Sequence, residues 1–139
     1  MTPQDIAHVQ RTFALVAPQA PAVAALFYQR LFELDPSLRP LFSTDLTEQG
    51  RKLMAMLGAV VAGLNHLERL VPVAQDLARR HVGYGVQPAH YQTVGAALLD
   101  TLQQGLGDGF TPEVKAAWTT AYTTLAGVMV AAAHPDAPA

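Results

Sequence analysis

A histidine on an inward-facing helical stripe must find a partner for its nitrogen lone pair, and the stretch Asp76-Leu-Ala-Arg-Arg-His81-Val-Gly-Tyr-Gly-Val86 presents one. Val73 and Leu77 begin an apolar face at helical spacing that ends one turn later on His81, and Gly83 and Gly85 stop the helix just beyond. Neutral imidazole is the commonest protein ligand for a metal and can move a proton near neutral pH. A core histidine hydrogen-bonded to backbone fits the same position. Gln49 is the second anomaly, an amide on a stripe otherwise made of Leu53, Met56, Leu57, Val60 and Leu64. It offers N–H donors to anything held inside, or else it is an ordinary solvent-facing helix residue.

Composition removes much of the other chemistry. The chain has 139 residues, half of them apolar and 14% charged, which is the balance of one compact domain with a sizeable core. Its formal charge of −2, with 9 basic and 11 acidic residues mixed along the chain, gives no footprint for nucleic acid or an anionic membrane. Cysteine is absent, so disulfides, thiolate metal sites, a cysteine nucleophile and covalent haem attachment are excluded. The start, Met-Thr-Pro-Gln-Asp, has no charged or apolar signal region. The windows Met54–Leu64 and Leu125–Ala133 fall short of the ~20 apolar residues of a membrane span. A cytoplasmic protein without a membrane partner is the expectation.

The elements that must position these residues are all helical. Thr2-Pro3-Gln4-Asp5 has the form of a capped helix start, and Ile6, Val9, Phe13 and Val16 follow it at a period near 3.6. Pro18 and Pro21 mark a boundary before Val23, Leu26, Phe27, Leu31, Phe32 and Leu34; Asp35-Pro36-Ser37 ends that helix, and Leu38, Leu41 and Phe42 form a short element. The Gln49 helix spans about Thr47 to Leu64, Pro72 is placed in the first turn of the His81 helix, and Pro88 opens a helix carrying Tyr91, Val94, Leu98, Leu99, Leu102 and Leu106. Thr111-Pro112-Glu113 repeats the capped start for Val114, Trp118, Tyr122, Leu125 and Met129. Six long helices and one or two short ones are expected, all-α, in a domain of residues 1–133 with 134–139 as a frayed tail.

This order of elements resembles the globin fold. Pro36 with Phe42 six residues on matches the family's phenylalanine against the haem face, and the 32 residues from Gln49 to His81 match bacterial single-domain globins and flavohaemoglobins. Tyr28 falls on their distal tyrosine. Arg51-Lys-Leu-Met54, Gln75-Asp-Leu77, Arg79-Arg-His81, Tyr84-Gly-Val86, His90-Tyr91, Val94-Gly95 and Ala116-Ala-Trp118 are similar to the Hell's Gate-type globins and, more distantly, to neuroglobin.

The resemblance implies haem b (iron protoporphyrin IX) ligated by His81, whose other ring N–H would be fixed by the Leu77 carbonyl. It makes Tyr28 and Gln49 the distal donors to a gas ligand, and Phe32, Phe42, Leu53, Val86 and Val94 haem contacts. Tyr91 takes a place near the proximal histidine. Lys52 either reaches a haem propionate or stays solvated. Dioxygen is the implied ligand, held tightly for storage or transport, with nitric oxide and carbon monoxide as further ligands. Two other readings stay open: nitric-oxide dioxygenation with electrons from a separate reductase, and gas sensing. Flavohaemoglobins polarise their proximal histidine with a tyrosine and a last-helix glutamate. No glutamate follows Trp118 here, which argues against a strongly activated, peroxidase-like iron.

Overall fold

A computed structural model describes residues 1–42, 45–83 and 87–134. Six α-helices follow in order: α1 (Pro3–Val16), α2 (Ala20–Leu34), α3 (Leu46–Ala62), α4 (Leu67–Gly83), α5 (Pro88–Leu106) and α6 (Pro112–Ala133). Short 3₁₀ turns at Ala17–Gln19, Pro36–Leu41, Leu64–His66 and Gly107–Gly109 join them, and there is no strand among the described residues. The architecture is the expected all-α globin arrangement, with four short elements instead of one or two.

Local chemistry sets the helix starts. The Thr2 hydroxyl accepts from the Asp5 N–H while the Asp5 carboxylate accepts from the Thr2 N–H, closing a capping box ahead of α1. Thr111 caps α6 by accepting from Val114, and Pro112 sits in the first turn, where no intrahelical bond needs its missing N–H.

The core lies where α1, α2, α5 and α6 cross, around Val9, Leu31 and Val114, all shut off from solvent. One buried polar link spans it: the Trp118 indole N–H donates to the Thr12 hydroxyl at 2.8 Å, and that hydroxyl donates to the His8 carbonyl at 2.7 Å. Both polar groups are thereby satisfied in the interior, where an unpaired one costs about 1–3 kcal/mol.

Three expectations need correction. Pro72 stands inside α4, five residues past its start at Leu67, because the helix grows directly out of the Leu64–His66 turn. Pro72 is exposed, so water can satisfy the Glu68 carbonyl that loses its helical partner. Val73 does not begin an inward face: it is 56% exposed, because α4 packs on α6 with Ala78 fully buried, and Val73 lies about 140° round the helix from it. In α3 the fully buried residues are Gly50, Met54 and Val61, one step round from the stripe expected to face inward. Gln49, Leu53, Met56, Leu57 and Val60 are half-buried, while Leu64 of the same stripe is buried and lies just past the end of α3. That offset matters for the site, because α3 packs on α2, α4 packs on α6, and α3 and α4 have no extensive face in common.

Candidate functional site

Tyr28 comes from the inner face of α2 and is 4% exposed. Three other rings surround it. Phe32, one turn on, stacks at 6.1 Å between centroids; Phe27 meets it edge-on at 5.4 Å and Phe42 at 5.6 Å. Phe42 reaches this cluster because Asp35 ends α2 and caps the next turn, its carboxylate accepting from the Ser37 N–H at 3.1 Å, so that the chain folds back over Pro36–Leu41. Phe32 and Phe42 are 5.5 Å apart edge to face, and the Arg39 guanidinium lies 5.5 Å from the Phe32 ring centre. The Tyr28 hydroxyl makes no hydrogen bond among the described residues, and burial pushes its ionisation up to about 12. It is therefore a neutral O–H donor.

Gln49 stands in the first turn of α3, which Asp45 caps by accepting from the Glu48 N–H at 3.1 Å. Its neighbour Gly50 fixes how close α3 comes to α2. A Cβ at Gly50 would lie 2.9 Å from the Ala24 Cβ and 3.5 Å from the Tyr28 ring, so the backbones cross where only hydrogen fits. Leu53 follows one turn after Gln49 and is half-buried; Lys52 is exposed.

On α4 the His81 ring is half-buried, with Nδ1 2.7 Å from the Leu77 carbonyl. A carbonyl only accepts, so Nδ1 carries the proton and, in the neutral ring, the lone pair is on Nε2. Leu77 is itself half-buried. On α5, Tyr91 is buried and Val94 half-buried. The Tyr122 hydroxyl of α6 donates to the Tyr91 carbonyl, and burial followed by the nearness of Tyr91 raises the ionisation of Tyr122. Gly95 permits this approach, since a Cβ there would sit 2.7 Å from the Tyr122 ring. The Tyr91 hydroxyl itself has no partner among the described residues.

The structure thus brings Tyr28, Phe32 and Phe42 into direct contact, sets Gln49 and Leu53 on the adjoining half-buried side of α3, and carries Leu77 and His81 on a helix not packed against α3. Val86 lies outside the described residues. Sequence reasoning missed Gly50, Gly95 and Arg39. A glycine inside a helical pattern is the one signal that would have pointed to the first two.

These residues suit a haem on their own chemistry. An imidazole oriented by a backbone carbonyl is a strong axial nitrogen donor, and half-buried apolar side chains on helices without a shared packing face can flank a flat aromatic ring. The aromatic cluster fixes the ring of a polar donor that has no hydrogen bond among the described residues.

A family model described as Globin matches residues 25–129. The chain is 35% identical over 133 residues to a flavohemoprotein of Vibrio cholerae serotype O1, covering 94% of this chain and 34% of that protein. It is 32% identical over 133 residues to a flavohemoprotein of Rhodopirellula baltica, covering 94% of this chain and 33% of the other. A flavohemoprotein of Rhizobium meliloti is 34% identical over 124 residues, covering 87% and 31%. The chain spans about a third of the length of these curated relatives.

Proposed function

The chain belongs to the globin family, and from that premise we propose that it holds haem b through His81 and binds dioxygen tightly and reversibly beside Tyr28 and Gln49. Haem held by His81 would supply an iron atom able to bind a diatomic gas. The rest of the work belongs to side chains. Leu77 fixes the His81 ring through Nδ1, which leaves the lone pair of the neutral ring on Nε2. Tyr28 and Gln49 donate O–H and N–H to the ligand atom on which negative charge collects. Phe32, Phe42, Leu53 and Val94 keep the surroundings apolar, which strengthens those donors. Tyr91, buried on α5, would stand near the histidine as the resemblance implies, and the exposed Lys52 is available to a carboxylate at the solvent edge.

The observation that carries this reading is a buried phenol with no hydrogen-bond partner of its own among the described residues. Absorption spectra of the haem-reconstituted protein in ferric, ferrous and gas-equilibrated states test it. A Soret band that shifts with gas is expected, and His81→Ala should come out colourless or loosely pigmented. A variant with unchanged colour and gas binding would overturn the role of His81.

Tight dioxygen binding also favours nitric-oxide dioxygenation as a second reading. Electrons would then come from a separate reductase. Mixing the oxygenated protein with nitric oxide and re-reducing it with such an enzyme decides between the two: sustained nitrate production means catalysis, a single turnover means carriage.

A further inference from the structure

With no hydrogen bond to its hydroxyl among the described residues, Tyr28 owes the direction of its O–H to the packing of its ring. Two of the three rings that hold it, Phe32 and Phe42, share a neighbour outside the cluster. The Arg39 guanidinium lies 5.5 Å from the centre of the Phe32 ring, and its Nη1 donates to the Phe42 carbonyl at 3.4 Å. The Phe42 N–H donates back to the Arg39 carbonyl at 3.1 Å, so backbone and side chain both tie the two residues. Arg39 is half-buried and stands in the last turn of the Pro36–Leu41 segment, next to Pro40, whose ring fixes its own backbone angle and stiffens the stretch that carries the cation.

Arginine suits both neighbours at once. A guanidinium is planar, so it can lie against a ring while the N–H groups in its plane donate to a carbonyl. A lysine ammonium is a compact point charge and reproduces the pair poorly. We propose that Arg39 is a positioning residue for the Tyr28 donor, holding Phe32 and Phe42 together and so setting where the phenol O–H points. The inference rests on the haem-gas reading above. Phe32 and Phe42 meet edge to face at 5.5 Å and each also contacts Tyr28, so a shift of either ring is passed to the phenol. A hydrogen bond weakens steeply as its angle closes, so a small turn of the phenol is enough to change how long a ligand stays.

The test is whether Arg39 matters only while the Tyr28 hydroxyl is present. In holoprotein, Arg39→Met keeps an unbranched apolar stem and removes the cation. It should speed dioxygen release by roughly 2- to 30-fold, the rate ratio to which a cation–ring contact corresponds over its usual range. Arg39→Lys should fall between Arg39→Met and the wild type. In the Tyr28→Phe background neither substitution should change release measurably. A role confined to folding would lower the melting temperature in both backgrounds and leave no such difference between them. Release unchanged in Arg39→Met, or raised as much in the Tyr28→Phe protein as in the wild type, overturns the proposal. If Arg39→Met melts too low to assay, Arg39→Lys carries the same comparison of backgrounds. If the protein takes up no haem, the haem reading fails and the ring NMR signals of Tyr28, identified by their loss in Tyr28→Phe, decide this one separately. They should move in Arg39→Met and return part of the way in Arg39→Lys, and unmoved signals overturn the positioning role.

Discussion

Replacing Tyr28 with phenylalanine removes one oxygen atom and should separate ligand retention from stability. The ring would keep its edge contacts with Phe27 and Phe42 and its stack on Phe32. The lost hydroxyl has no hydrogen bond among the described residues, so no protein partner is orphaned by its removal. Deleting an unpaired polar group from an apolar setting is neutral to stabilising, so the melting temperature should hold or rise. The gas should leave faster. A hydrogen bond to a group carrying charge is worth about 1.5–3 kcal/mol, and each 1.4 kcal/mol is tenfold, so the dioxygen off-rate should rise roughly 10- to 150-fold. Stopped-flow displacement of dioxygen by carbon monoxide reads this rate. Because burial holds the phenol protonated to about 12, the wild-type rate should also stay flat from neutral pH to well above the usual phenol value. An off-rate unchanged within about twofold of wild type would show that Tyr28 is only a core ring, since the smallest effect worked out here is tenfold.

Two further outcomes follow from the packing. Gly50→Ala would bring a Cβ to 2.9 Å from the Ala24 Cβ, which is tied to the backbone and cannot swing away, so overpacking of about 1–3 kcal/mol should outweigh the roughly 1 kcal/mol of helix propensity gained. Gly58→Ala meets only the Phe13 ring at 3.6 Å and should raise stability by about 0.5–1 kcal/mol; denaturant melts of the pair that rank the other way would refute the close crossing of α2 and α3. Alkaline titration gives a signed test. Tyr28 ionises near 10.0 when unfolded and about 12 when folded, so between those values the unfolded chain binds fewer protons and stability falls as pH rises. The loss should reach roughly 2–3 kcal/mol by the upper value and shrink in Tyr28→Phe.

Helix starts were legible because their chemistry is local: Thr2 with Pro3, Thr111 with Pro112, and Pro88 each announce a first turn that the structure contains. The start of α4 was not, because the helix follows directly on the Leu64–His66 turn and Pro72 is a misleading signal inside it. Which residues of α3 are most buried was not legible for a different reason. Gly50 has no apolar side chain to enter a hydrophobic pattern, yet it is buried where α3 meets Ala24 and the Tyr28 ring. Membership in an aromatic cluster was equally unreadable, since Tyr28 and Phe32 are joined to Phe42 only by the fold-back at Asp35–Pro36. The candidate site residues were therefore chosen by resemblance, and what the structure adds is their local setting: the carbonyl behind His81, the ring cluster around Tyr28, and the glycine that sets α2 against α3.

That glycine also links the two proposed donors. Gln49 precedes Gly50 in α3, and Gly50 approaches both Ala24 and the Tyr28 ring, so any change in the α2–α3 crossing would move the amide and the phenol together. Two donors sharing one ligand atom and one rigid crossing should not act additively. If Tyr28→Phe lets the ligand tilt toward Gln49, the remaining amide compensates, and the single substitutions understate each donor. Gln49→Leu in the Tyr28→Phe background should then speed dioxygen release by more than it does in the wild type, with a coupling of about 0.5–3 kcal/mol typical of residues in one network. Additive effects would mean that the donors address separate atoms or that one of them never reaches the ligand. A Gly50→Ala protein that stays folded gives the complementary reading: both donors keep their chemistry and lose their spacing, so its release rate should move toward that of the double variant.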